Sequence, residues 1–521
     1  MKKTTLSTLE IRNSPTSLTA GCFCDINNYV QADSTASFRK EIWVKKLPKN
    51  KKPQTVGELQ KSGYPMTTVK AEMRQNLINN IRKGEEIFPG IVGYEETVIP
   101  QFENAILSGQ DIIFLGERGQ AKTRMIRSLI NLLDEEIPAL AGCEINDNPY
   151  QPICRKCQEK LKALGSRAEI VWLGREHRYG EKLATPDVTI ADLIGEVDPI
   201  KVAEGRYLSD ELTIHYGLIP RTNRGIFAIN ELPDLGEKIQ VGLFNIMEER
   251  DVQIRGYKIR LPLDVYVVAS ANPEDYTNRG RIITPLKDRY GSEIRTHYPR
   301  SMEAEIQIME QEITRFADDG AFRTITPNYL KELIAEITAL ARKSPEINQR
   351  SGVSVRVSIS NYENIISNAL RRAIRLGERE VVPRPSDLPY LAASTAGKIE
   401  LENMDEGHGE SLIEKLISKA TLNTFNRYFQ VQQFDDFLSK FKSGWSIEVS
   451  EGLKSTLYEE KTREIQPHSR EMEGLLQGLK KLQCDASPAT LASGLEFILE
   501  GLHLHRRLNK EQLSGKAAYR A

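Results

Sequence analysis

One stretch limits what this chain can become more than any other: DIIFLGERGQAKTR, residues 111 to 124, followed by the helical run MIRSLINLLDE. A short apolar strand, a glycine loop, Lys-Thr and a helix, in that order, are the parts of a phosphate-binding loop. Glycines let the backbone N–H groups of Gly116, Glu117, Arg118, Gly119, Gln120 and Ala121 curl around phosphate oxygens. The helix start adds the positive end of its dipole, and Arg124 follows on its first turn. Lys122 is placed to reach the β and γ phosphates, and the Thr123 hydroxyl to coordinate Mg²⁺. The usual pattern has Gly where this chain has Ala121, and Ala fits there if its φ is already helical. The alternative is a plain strand-to-helix turn with incidental glycines; the order of strand, loop, Lys-Thr and helix favours the phosphate-binding reading.

A phosphate loop implies a second strand with an acid at its end, and GIFAINEL, residues 225 to 232, supplies one. Its apolar run fits a strand buried on both faces. The first polar residue of such a pair holds Mg²⁺ through its water shell, and the Glu after it polarises the attacking water. Glu231 suits the second task. Asn230 offers only a neutral oxygen for the first, which predicts weaker Mg²⁺ binding or slower turnover, and an Asn230→Asp variant at least as fast as the natural chain. Asp234 is a candidate for the missing charge. The next strand ends in ASANPED, where Asn272 can orient a lytic water, and PLKDRYG puts Arg289 on the rim, to pair with Asp288 or reach a neighbouring subunit as an arginine finger.

Between residues 110 and 300 strands and helices alternate, which predicts a parallel sheet covered by helices on both faces. The five candidate strands are 111–115, 169–174, 225–230, 265–272 and 292–299. Beyond Pro299 helical periods take over, interrupted by VVPRPSDLP and MDEGHGES. Ser487 as cap and Pro488 at the first helical position mark the last helix. Residues 1–54 read as a disordered extension and 55–87 as a helical segment, with Val69, Met73, Leu77 and Ile81 on one face and a stop at Gly84. The α/β nucleotide-binding domain then covers 88–300, a helical lid 301–400 and a helical C-terminal region 401–521.

Composition excludes some alternatives. Lys plus Arg (71) nearly cancels Asp plus Glu (72), so no global field points to nucleic acid. No apolar run approaches the ~20 residues of a membrane span. Six cysteines in 521 residues are too sparse for a secreted disulfide framework, and the N-terminus lacks the apolar run of a signal peptide, so a reducing cytoplasm is expected. Cys154 and Cys157, in CRKC, have metal-ligand spacing with Cys143 nearby. No matching second pair follows, so zinc would need His177 as its fourth ligand. The simpler reading is a helical insertion with incidental thiols.

Taken together, these residues resemble the AAA+ ATPases, in the branch of the magnesium-chelatase ATPase subunit and the MoxR-like proteins. The resemblance runs through FPGIVGYEE, GEVDPIKVAEGRY, HYGLIPRTNRGIFAINEL and EKIQVGLFNIMEERDVQIRGYKIRLPLDVYVVASANPED, from Phe88 to Pro299, with weaker support to about Glu400. It implies a P-loop core with a β-hairpin insert around Arg255-Gly256, and ATP and Mg²⁺ as ligands. It implies that Lys122 and Thr123 carry nucleotide and metal, that Asn230 and Glu231 form the acidic-strand pair, that Asn272 is the first sensor, and that Arg289 is a finger acting in trans. Arg356 is the candidate second sensor. The implied assembly is a hexameric homo-oligomeric ring that works with a von Willebrand A-type partner protein and remodels a protein partner or assists metal or cofactor insertion. A slow or non-hydrolysing nucleotide switch is the alternative. A sigma-54 activator is disfavoured because the chain has no GAFTGA loop.

Overall fold

The computed structural model describes residues 52–521 except Pro199, 201–202, 204–210, 250–260, 273–280, 315–320, Arg350, 403–407, 467–468 and 514–515. Of the extension expected at residues 1–54, the part up to Lys51 lies outside the described residues, as does the hairpin expected around Arg255-Gly256, while Pro53 and Gln54 accept hydrogen bonds from Trp172 and the Ile170 N–H. Five parallel strands form the central sheet: β1 (Ile112–Leu115), β2 (Tyr179–Leu183), β3 (Gly225–Asn230), β4 (Val265–Ala271) and β5 (Ser292–Arg295), in the order β2-β3-β4-β1-β5. Alternation along the strands gives the sheet two cores. Ile113, Phe227, Ile229 and Val267 pack into one, and Ile112, Phe114, Ala228 and Val268 into the other. Such double burial explains why β1, β3 and β4 read as unbroken apolar runs.

One expected strand belongs elsewhere. Ile170–Gly174 pairs antiparallel with Glu136–Leu140, outside the central sheet, and the fifth place is taken by β2. The reason is burial. Val171 is 41% exposed, so the apolar run of EIVWLG lies on a half-open hairpin. By contrast YGEKL, which carries few apolar side chains, is drawn to the sheet edge by pairing with β3. Gly180 is needed there, because a Cβ would stand 2.2 Å from Thr222 Cγ2.

Ahead of the core, helix α1 (Val69–Lys83) begins at Thr68, whose side chain accepts the Ala71 N–H, and ends at Gly84 with φ 66°. Val69, Met73 and Leu77 are buried, whereas Ile81 is 46% exposed. A charge completes the docking of α1: the buried Glu72 carboxylate takes two hydrogen bonds from Arg178, at 2.8 and 2.6 Å, and one from the Asp134 N–H. Arg178 also donates to the Arg224 carbonyl at the foot of β3. Helix α2 (Lys122–Ser128) follows the phosphate loop.

After β5 the chain becomes helical: α3 (Met302–Glu312), α4 (Asn328–Ala341), α5 (Arg356–Leu376), α6 (His408–Tyr428) and α7 (Pro488–Leu504). One apolar core runs from Met309 through Leu333, Phe425 and Phe497 to Tyr519. The Tyr329 ring of α4 stacks on Phe497 of α7 with centroids 4.2 Å apart, and its hydroxyl bonds to Ser493. α7 starts at a capping box between Ser487 and Thr490 with Pro488 at its first position. The C-terminal region expected to be helical also carries a three-stranded antiparallel sheet of Ile447–Val449, Lys516–Arg520 and Asn509–Leu513. Its strands are too short and too polar for periodicity to reveal.

Candidate nucleotide site

All five strands of the sheet end on one edge, where ligands of parallel α/β sheets bind. The loop from Gly116 to Ala121 sits on that edge, between the end of β1 and α2. Two of its glycines are required by space: a Cβ on Gly116 would stand 1.9 Å from Thr296 Oγ1, and one on Gly119, at φ 77°, would stand 1.8 Å from Ser354 Oγ. Gln120 fixes the middle of the loop, its side-chain oxygen accepting from Thr296 at 2.6 Å and its carbonyl from the Tyr94 hydroxyl at 3.0 Å. Burial pushes the Tyr94 pKa up to about 12, so the hydroxyl stays protonated and able to donate.

The expectation for Ala121 needs correcting. Its φ is 56° and ψ 15°, in the left-handed region rather than the helical one. An L side chain there costs about 1–2 kcal/mol. Allowing for the extra chain entropy of Gly, Ala121→Gly is expected to stabilise the protein by about 0.5–1 kcal/mol. Thermal melts of the two forms check this, and a lower midpoint for the Gly form would contradict it.

Lys122 is buried beneath the loop, where Nζ donates to the Gly116 and Glu117 carbonyls and, at 2.7 Å, to Asn272 Oδ1. The other atom of that amide, Asn272 Nδ2, donates to Glu231 Oε2 at 2.8 Å. Lys122, Asn272 and Glu231 thus form one hydrogen-bonded line from the phosphate loop to the end of β3. Glu231 itself sits at φ 56°, a left-handed conformation for a non-glycine residue at the point where the strand turns. Asp234 borders the same cavity, three residues further on.

The surroundings of Asn230 contain the residue that sequence reasoning missed. Asn230 Oδ1 accepts from the Ser270 hydroxyl at 3.1 Å and from Thr123 at 3.4 Å, while Nδ2 donates to Glu181 Oε1 at 2.7 Å. Glu181 lies on β2, the strand not recognised in the sequence, and no motif marks it. Burial of its carboxyl is outweighed by the Arg127 guanidinium, which donates at 2.8 and 2.9 Å, with help from Tyr179 and Asn230. The carboxyl therefore titrates below the ordinary Glu range and is charged at neutral pH. Glu181 supplies a negative charge beside Asn230.

Two connected cavities flank the loop. One, of about 210 Å³, is walled by Ile91, Tyr94, Pro299, Ile308 and Ile359. The other, of about 480 Å³, holds Lys122, Thr123, Glu231 and Asn272. Arg356, on the first residue of α5, borders both. A larger space of about 890 Å³ within the lid has none of these residues. Arg289 lies outside both cavities, paired with Asp288 and Glu248 and set over the Phe244 ring.

No protein-family model matches the chain. Among curated proteins, the magnesium-chelatase subunit ChlI of Nostoc sp. (strain PCC 7120) is 29% identical over 388 residues, covering 70% of this chain and 95% of that protein. The ChlI subunit of Anabaena variabilis is 28% identical over 361 residues, covering 65% and 97%. Among solved structures, a chain from the cryo-EM complex between subunits BchI and BchD of magnesium chelatase aligns at 19% identity and a TM-score of 0.32, covering 64% of this chain and 98% of that one. With similarity to chelatase subunits over nearly their whole length, and a P-loop on a five-stranded parallel sheet followed by helices, the chain has the architecture of a P-loop AAA+ ATPase and is similar to the ATPase subunits of magnesium chelatase.

Proposed function

We propose that this protein is a Mg²⁺-dependent ATPase that works as a hexameric ring, remodelling a partner protein or assisting insertion of a metal or cofactor. The line Lys122–Asn272–Glu231 carries the reading: it joins a cation suited to phosphate and a base suited to water through one amide. The loop N–H groups and Lys122 would hold the phosphates. Thr123, Asn230 and Glu181 offer the hard oxygen donors that suit Mg²⁺, which when bound neutralises charge on the phosphates. In this reading Glu231 accepts a proton from water, Asn272 orients it, and Lys122 stabilises the charge that develops. Arg289, outside its own cavity, serves the neighbouring protomer once its local ion pairs open.

Arg356 carries the state of the site into the lid. Arg356→Ala is expected to weaken nucleotide binding about tenfold, measured by titration with a fluorescent nucleotide. Unchanged affinity would remove Arg356 from the site. A von Willebrand A-type protein is the proposed partner and the cytoplasm the proposed location; no helix among the described residues is long and apolar enough to cross a membrane. The deciding experiment is ATP turnover by the full chain, with and without Mg²⁺, against Lys122→Ala. Mg²⁺-dependent turnover lost in the variant is expected. No turnover above that control, at concentrations where the chain is oligomeric, would leave a nucleotide switch instead of a motor.

A further inference from the structure

The excursion between the strands Glu136–Leu140 and Ile170–Gly174 has only a small apolar core of its own. From Ala141 to Arg167 the buried apolar side chains are Ile145, Pro149, Cys154 and Cys157, with Tyr150, Ile153 and Leu161 partly buried beside them. Yet this segment is tied to the foot of β3. Asn223 Nδ2 donates to the Ile145 carbonyl at 3.1 Å, Asn146 Nδ2 to the Arg221 carbonyl at 2.8 Å, and Arg224 to the Pro138 carbonyl at 2.7 Å. So small an apolar core leaves room for a further tie to hold the excursion in shape.

The thiols of Cys143, Cys154 and Cys157 and a carboxylate oxygen of Asp147 lie within 4.8 Å of one another. Three thiolates around one Zn²⁺ at 2.3 Å would be about 3.8 Å apart, so the cluster needs only a slight contraction to close. His177, the ligand expected to be recruited, is not part of the group. Cys154 caps the helix Arg155–Leu164 and Cys157 is in its first turn, which places both sulfurs at the positive end of a helix dipole. The Asp147 N–H points at Cys143 Sγ, 3.4 Å away, and the Asp147 oxygens accept from the Ile153 and Cys154 N–H groups at 3.1 and 3.0 Å. Those bonds fix the loop so that all four groups face one point.

The charge balance also calls for a cation. Asp147 is fully buried, and among the described residues no Lys or Arg pairs with it. Lys156 and Lys160, from the same helix, donate instead to the Gly142 and Ala141 carbonyls. A buried carboxylate among thiols and without a basic partner is costly, and a divalent ion removes the cost. Three sulfur donors select a soft or borderline metal, and four convergent groups with no open position match a closed structural site.

We propose that Cys143, Asp147, Cys154 and Cys157 hold one structural Zn²⁺ that staples the excursion to the base of β3. Binding releases the three thiol protons to solvent, so occupancy falls on acidification. The ion sits at the opposite end of β3 from Asn230 and takes no part in the nucleotide site.

The test is the zinc content of the full chain, purified without chelators from zinc-supplemented culture and measured by mass spectrometry of the metal. One equivalent per chain is expected, released in step with three thiols as a mercurial is added. Asp147→Asn is expected to weaken Zn²⁺ binding about 10- to 100-fold, and Cys143→Ser to lose it. Cys484→Ser, whose thiol is buried in the C-terminal region, should keep full zinc. In Co²⁺-loaded protein a thiolate-to-cobalt absorption band should appear and weaken in Cys143→Ser. Natural protein that carries no stoichiometric zinc and whose thiols react no more slowly when Zn²⁺ is added would overturn the proposal, as would a disulfide among these cysteines in anaerobically purified protein. The first measurement needs no variant, so misfolding of a mutant cannot mask the answer.

Discussion

Glu231→Gln should lower ATP turnover by about 100- to 10,000-fold, the range for removing a general base, while nucleotide affinity stays close to that of the natural chain. Gln keeps the size of the side chain and an oxygen that can accept from Asn272 Nδ2, so the line to Lys122 survives. What is lost is the negative charge that takes a proton from water. Steady-state turnover and equilibrium binding of a nucleotide analogue, measured on one preparation, separate the two effects. A Gln variant that turns over normally would move the base to Asp234, the other carboxylate bordering the cavity. A variant that fails to bind would mean that Glu231 acts through the shape of the loop.

The second large effect concerns Asn230, where Glu181 adds to the Asn230→Asp change a stability cost that the sequence does not reveal. Asn230→Asp would exchange an N–H donor, 2.7 Å from the Glu181 carboxylate, for a second carboxylate. A lost hydrogen bond and a new like-charge contact, discounted for solvent and for the Arg127 pair, cost about 1–3 kcal/mol. The cost applies in Mg²⁺-free buffer, because a divalent ion between the two carboxylates offsets their repulsion. The expected result is a thermal midpoint that falls in EDTA and recovers when Mg²⁺ is added, more strongly than in the natural chain. Adding Glu181→Gln to Asn230→Asp restores a donor beside the introduced carboxylate and should recover midpoint stability without metal. If Asn230→Asp is as stable as the natural chain in EDTA, the two side chains do not face each other as described.

Much of this site is written in the sequence because its chemistry lies in contiguous motifs. The phosphate loop, the end of β3 and Asn272 can each be read from a run of apolar residues broken by polar ones at a strand end. Glu181 could not be read that way: it sits on an edge strand with few apolar residues, and its importance comes from the register that sets Leu183 beside Asn230. The misplaced strand EIVWLG shows the same weakness from the other side, since apolar content alone does not say which sheet a strand will join. Ala121 is a third kind of case. Its left-handed backbone follows from how the loop closes over Gln120 and Thr296, and no propensity of Ala signals it. The proposed zinc ligands are half visible: CRKC has the right spacing, but Asp147 joins Cys143 only because the intervening turn folds back, with Asn146 at φ 53°.

The shared core from Met309 to Tyr519 bears on how work would leave the molecule. If the helices after residue 401 were tethered loosely, a turn of the lid would be absorbed in the tether. Because Tyr329 is wedged against Phe497 and bonded to Ser493, α4 and α7 share one core, and a turn of the helices after Pro299 would carry the C-terminal region with it. Ser354, which touches Gly119, is where the phosphate loop would pass such a turn to that core. A partner held on the exposed residues Asn509, Glu511 and Gln512 of the terminal sheet would then feel the state of the nucleotide site through one continuous core.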